Sequence, residues 1–142
     1  NSGSLRQNID EGPVTKGDLV STFPFPNKLV LVKLKGSRLR AIFDHAAKMT
    51  NGVLQVSKGT RYAFEAGKGV QEISINGRRL EDEKLYWVAT SDFVVEGGDG
   101  YSEFGHAVER VDTGKKIVDV VEDFLVQERI YYPVYEERLV IK

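Results

Sequence analysis

The chain changes hydrophobic period at Gly36, and that change constrains its fold more than any other feature. Upstream, "NKLVLVKLKG" (27–36) sets Leu29 and Leu31 against Val30, Val32 and Leu34. This is strand alternation with apolar residues on both sides, which suits a strand largely covered on both faces. Downstream, "SRLRAIFDHAAKM" places Leu39, Ile42, Phe43, Ala46 and Ala47 at helical spacing, with Ser37 as the expected cap and Asn51-Gly52 as the stop. A strand running straight into an amphipathic helix requires a mixed α/β fold.

The flanking segments extend the pattern. "VTKGDLVSTFPF" begins a capping box, Thr15 three residues before Asp18, so a short helix over Leu19 and Val20 is predicted, ended by Pro24. Segments 52–57, 60–66 and 70–80 read as strands, the last carrying an Asn76-Gly77 turn. "KLYWVATSDFVV" (84–95) reads as one long strand because β-branched and aromatic residues fill it. Ile117, Val118, Val121, Phe124 and Leu125 share a helical face, and "ERLVIK" supplies a closing strand. The predicted order after an irregular start is β-α-β-β-β-β-α-β. A single domain over residues 1–142 is expected, since that length closes one ordinary core.

Charge and composition exclude several classes. With 20 basic and 21 acidic residues the net charge is −1, which gives no field to draw a nucleic-acid polymer. There is no cysteine, hence no disulfide framework and no thiolate metal site. No apolar run approaches the roughly 20 residues of a membrane span, so no membrane-spanning segment is expected within these residues. His45 and His106 are the only histidines, and neither sits in an H-x-H, H-E-x-x-H or D-x-H pattern. No metal site and no catalytic residue are therefore assigned to this chain, and His45 reads as a partly exposed structural residue. A G-x-S-x-G nucleophile elbow is also missing.

Three loops hold the remaining chemistry. The glycine run at 97–100 reads either as a loose hairpin turn or as a ligand loop in which Asp99 offers two acceptor oxygens to a pair of sugar hydroxyls. Phe93 reads either as an inward strand residue or as a stacking ring. In "FPFP", Pro24 and Pro26 stiffen the backbone around Phe25 and hold its ring toward solvent. Two such rings suffice to clamp a flat base, each stacked face being worth about 1–3 kcal/mol. "NSGSLR" adds Arg6, a planar fork suited to phosphate oxygens.

Taken together these loops resemble the C-terminal domain of the 5′-nucleotidase family, which includes UDP-sugar hydrolases, cyclic-nucleotide phosphodiesterases and ecto-5′-nucleotidases. The family's N-x-G-x-[Ile/Leu]-Arg stretch is matched by Asn1, Gly3, Leu5 and Arg6, and its Pro-Phe step by Pro24 and Phe25. Its [Asn/Asp]-Phe-x-x-x-Gly-Gly-Asp-Gly-[Tyr/Phe] stretch is matched by Asp92, Phe93, Gly97, Gly98, Asp99, Gly100 and Tyr101. Ser4, Lys58 and Asp92 depart from frequent family choices.

The resemblance implies a compact four-layer α/β/β/α domain that binds a nucleotide or nucleoside. Phe25 and Phe93 would sandwich the base, Asp99 in the Gly98-bearing loop would hold ribose hydroxyls, and Asn1 and Arg6 would reach base or sugar and phosphate. It implies no cofactor in this chain, with two divalent metal ions in an N-terminal metallophosphoesterase domain of the same polypeptide. A further nucleotide-holding arginine lies upstream of Asn1 in the family, so weak affinity is expected of this chain alone. The family is mostly exported, which implies a periplasmic or cell-surface place. Three roles stay open at this level: a specificity domain for nucleoside monophosphates, one for UDP-sugars or 2′,3′-cyclic nucleotides, and a non-catalytic nucleoside-binding module.

Overall fold

The computed structural model describes residues 2–49, 54–65 and 68–142. Strand β1 (Lys28–Lys35) lies at the centre of a three-stranded antiparallel sheet, between β5 (Leu85–Ser91) and β6 (Glu109–Lys116). That central place explains its apolar run. Val30, Val32 and Leu34 are 0–1% exposed, whereas Leu29 and Leu31 on the opposite face are only half-buried. The second face is thus less covered than expected: the side chains beside it, Trp87 and Val111, are themselves about half exposed.

A second sheet of four strands has the order β4-β3-β2-β7, with β2 (Thr60–Glu65), β3 (Gly69–Ile75), β4 (Arg78–Arg79) and β7 (Leu139–Ile141). β7 joins β2 in parallel and the other pairs are antiparallel. The β3–β4 turn falls on Asn76 and Gly77 at φ 51° and 74°, as a tight hairpin with two left-handed residues requires. Helix α2 (Gly36–Lys48) packs against β1 of one sheet and β2 and β3 of the other. Its Leu39, Ile42, Phe43 and Ala46 are buried, with the Phe43 ring centroid 4.6 Å from that of Tyr62. Helix α1 (Lys16–Thr22) carries the predicted box, Thr15 N–H and hydroxyl donating to Asp18 and Asp18 N–H donating back, and it packs on α4 (Ile117–Glu128). The mixed α/β class read from the sequence is the one observed.

Four local readings differ. Ser37 is not the cap of α2: the N-cap residue is Lys35, with no side-chain bond, and the backbone of a neighbouring turn takes over. Gly36 N–H donates to Lys84 O (2.8 Å) and Ser37 N–H to Asp82 O (2.9 Å). The predicted Asn51-Gly52 stop lies outside the described residues. Leu54–Ser57 are not a strand, because their carbonyls serve side chains: Leu54 O accepts the Tyr62 hydroxyl (2.9 Å) and Val56 O accepts Arg138 Nη1–H (3.0 Å). The long strand at 84–95 ends at Ser91, and Asp92–Val95 form a helical turn, α3, capped by Ser91 Oγ accepting Val94 N–H (3.2 Å). β6 was not expected at all. It is polar and exposed along nearly its whole length, and its pairing with β1 is what makes it a strand.

Two buried phenols give this core an alkaline limit. Tyr62 and Tyr101 are 0% and 1% exposed. Burial, and then the Asp99 carboxylate, push the Tyr101 hydroxyl up to about 12 from an ordinary 10.0. Burial, and then Tyr101, push Tyr62 upward as well. The raised values mean that the fold favours the neutral phenols. The stability this contributes is complete below the unfolded value and is lost as pH rises through the folded values. Thermal melts should therefore fall steeply above pH 10, with two of the six tyrosines ionising only as the chain unfolds. A tyrosinate absorbance titration in which all six ionise while the fold stays intact would contradict this.

Candidate functional site

Topology brings the two predicted stacking rings to one end of the first sheet. β1 and β5 pair antiparallel with Leu29 opposite Ser91, so the segment entering β1 and the segment leaving β5 emerge side by side. Phe25 lies on the first and Phe93 on the second. Asp92 ties the two together: its Oδ1 accepts the Lys28 N–H (3.1 Å) and the Phe93 N–H (2.8 Å). Neither ring is in the core. Phe25 is 40% exposed and Phe93 44%, so the reading of Phe93 as an inward strand residue fails.

Arg6 reaches the same place from a third segment. Its N–H donates to Thr22 O (3.0 Å), and its guanidinium carbon stands 5.3 Å from the Phe25 ring centroid, within cation–π range. A cleft of about 280 Å³ opens beside them, lined among others by Ser4, Phe25, Asn27, Thr90 and Ser91. Ser91 is also the cap of α3, so the cleft runs from the Phe25 loop to the root of the turn that carries Phe93. Phe93, Gly98 and Asp99 do not line it. Asn1 lies outside the described residues.

Each position of the glycine loop has its own reason. Gly97 and Gly100 take φ of 89° and 80°, which residues with a Cβ adopt only under strain. Gly98 is needed for space, since a Cβ there would lie 2.5 Å from both the ring and the carbonyl oxygen of Phe93. Asp99 itself takes φ 53°, a left-handed conformation that Asp tolerates better than most residues. The loop closes through Gly100 N–H to Gly97 O (3.1 Å) and Tyr101 N–H to Gly98 O (3.2 Å). Asp99 is exposed, and its carbonyl oxygen lies 2.8 Å from His45 Nε2 on α2.

Phe93 and Gly98 therefore touch, as do Arg6 and Phe25, and the Asp92 carboxylate ties Phe93 to Lys28 at the start of the strand that follows Phe25. Asp92 as a tie between them was not foreseen. The signal was present: a Ser-Asp pair ahead of apolar residues is an N-terminal helix signature, masked here by the strand-like composition of "DFVV". Among the described residues no group of three or more His, Asp or Glu side chains could hold a metal ion, and no helix is long and apolar enough to cross a membrane.

Comparison with known proteins adds a family. The sequence model of the family described as 5′-nucleotidase, C-terminal domain, matches residues 1–106. A 5′-nucleotidase from Diplobatis ommata is 31% identical over 96% of this chain, and Protein UshA from Yersinia enterocolitica is 31% identical over 87% of it. The chain spans only 27% and 22% of the length of these relatives. The crystal structure of a 5′-nucleotidase precursor from Thermus thermophilus superposes with a TM-score of 0.90 at 30% identity, covering 98% of this chain and 30% of that one.

Proposed function

The chain belongs to the 5′-nucleotidase C-terminal domain family, and on that premise we propose that it is the specificity part of a nucleotide phosphohydrolase. In this reading Phe25 and Phe93 stack on the two faces of the base, and Asp99 accepts hydrogen bonds from the ribose hydroxyls. Gly98 keeps the loop low enough for the Phe93 ring to lie over it. Arg6, with Asn1, reaches toward sugar and phosphate. The observation that carries the proposal is the pair of half-exposed phenylalanines at one end of the β1–β5 pair, where the Asp92 carboxylate ties the Phe93 N–H to the Lys28 N–H at the start of β1. Rings left open to solvent, rather than buried in the core, are what stacking on a ligand requires.

Bond breaking falls, in the same proposal, to a metallophosphoesterase domain elsewhere in the full protein, where two divalent ions would stabilise the attacking and leaving oxygens. Among the described residues no cluster of metal-holding side chains is found, and in this reading the chain alone is expected to be inactive. A periplasmic or cell-surface place is part of the proposal and follows the family's habit of export.

Titration of the chain with adenosine, uridine and their 5′-phosphates, followed by NMR, tests the reading. Shifts should move at Phe25, Phe93 and Asp99 for both nucleosides, because stacking accepts any base. Saturating millimolar nucleoside with those three signals unmoved would sink it.

A further inference from the structure

We propose that His45 is a positioning residue for nucleoside binding, holding Asp99 in the conformation that presents its carboxylate to ribose; the inference rests on the role given to Asp99 above. Three contacts from α2 converge on the loop. His45 Nε2 is 2.8 Å from Asp99 O, so Nε2 carries the hydrogen, since a carbonyl only accepts. The imidazole meets the buried Tyr101 ring edge-on, centroids 4.7 Å apart at 80°. A Cβ on Gly100 would come within 3.0–3.1 Å of the same imidazole, so the loop lies directly against it.

The physical need for such a brace is visible in the backbone. Asp99 is a non-glycine residue at φ 53°, between glycines at φ 89° and 80°, and a left-handed residue persists only where its surroundings over-determine it. The loop's own bonds join Gly97 to Gly100 and Gly98 to Tyr101, and neither uses the Asp99 carbonyl. His45 supplies that bond from a helix anchored in the core, with Ile42 and Ala46 buried on either side of it in sequence. The carbonyl fixed in this way stops the peptide from rotating, so the exposed acid stays where the loop puts it. A lone histidine on a helix reads as inert in sequence because its partner lies 54 residues away.

Two measurements decide it. Without ligand, ¹⁵N imidazole shifts above the histidine titration should show His45 protonated at Nε2. In His45→Leu the Asp99 and Gly100 amide signals should move and the Asp99 backbone coupling should lose its left-handed value, while His45→Gln, which returns an N–H near the Nε2 position, restores them. An Nδ1-protonated ring, or an unchanged Asp99 in His45→Leu, would overturn the inference. With ligand, His45→Leu should bind adenosine about 5- to 10-fold more weakly, the cost of one hydrogen bond's worth of positioning. Binding of 2′,3′-dideoxyadenosine, which lacks the hydroxyls, should change little, and His45→Gln should recover most of the loss. Phe25→Ala is the control: if it weakens adenosine while His45→Leu does not, the brace is wrong and the clamp stands. If Phe25→Ala has no effect, the clamp reading fails, and the ligand-free spectra still judge the brace.

Discussion

Phe25→Ala and Phe93→Ala should each weaken adenosine binding by about 1–3 kcal/mol, roughly 5- to 150-fold, while leaving the fold in place. The two halves of that expectation have separate sources. The loss of affinity comes from deleting a stacking face. The survival of the fold comes from exposure: at 40% and 44% exposed, neither ring belongs to the buried cluster built from Val32, Leu34, Ile42, Tyr62 and Ile73. Truncation of either therefore removes only part of a side chain's burial and should cost about 1 kcal/mol of stability or less. The double variant should lose less than the sum, since each ring holds the base against the other and either single change already forfeits part of the second ring's contact. Asp92→Ala belongs to the same series. Its carboxylate joins Lys28 N–H to Phe93 N–H, so its removal should loosen the spacing of the rings without touching either. Calorimetric titration beside thermal melts separates the outcomes. Variants that melt lower yet bind adenosine like the parent would assign both rings to structure and remove the clamp.

The sequence displayed some parts of this molecule and concealed others, for reasons that can be traced to single residues. Thr15 and Asp18 cap each other within one turn, so the start of α1 was readable locally. The β1-to-α2 switch was readable because β1 is central and α2 is buried on one stripe, so the hydrophobic period survives intact. β6 was not, since an exposed edge strand carries no alternation and exists through its partner. The segment 92–95 misled in the other direction. Phe and two valines favour strands by composition, and only the Ser91 hydroxyl and Asp92 carboxylate, each bonding a backbone N–H, turn the chain into a helix. The same contrast runs through the candidate site. Glycines at 97, 98 and 100 and the prolines around Phe25 mark unusual backbone in the sequence itself. The ties that make a site of those loops, Asp92 to Lys28 and His45 to Asp99, join residues 64 and 54 positions apart.

Gly36→Ala should destabilise the chain by about 2–4 kcal/mol, against the sign that helix propensity gives. In an open helix this substitution gains about 0.5–1 kcal/mol. Here the added methyl would collide with the Glu81 carbonyl oxygen and stand 2.9 Å from that carbonyl carbon and 3.2 Å from Asp82 Cα. All three are main-chain atoms, so no side-chain rotation relieves the clash. Only a shift of the 81–84 turn can do so, and that turn is what replaces a side-chain cap, accepting the Gly36 and Ser37 N–H groups at 2.8 and 2.9 Å. The overpacking costs about 1–3 kcal/mol and each lost bond about 1 kcal/mol, which outweighs the propensity gain. For a chain of 142 residues the melting temperature should fall by roughly 10 °C. Gly105→Ala is the matched control, because a Cβ there meets nothing within 4 Å, and its melting temperature should hardly move. The Gly36 variant also joins stability to recognition. α2 carries His45, so a helix displaced at its first residue should weaken adenosine binding with both rings and Asp99 untouched. A Gly36→Ala chain that melts like the parent would mean that the turn yields freely, and that the helix does not depend on it for its first two bonds.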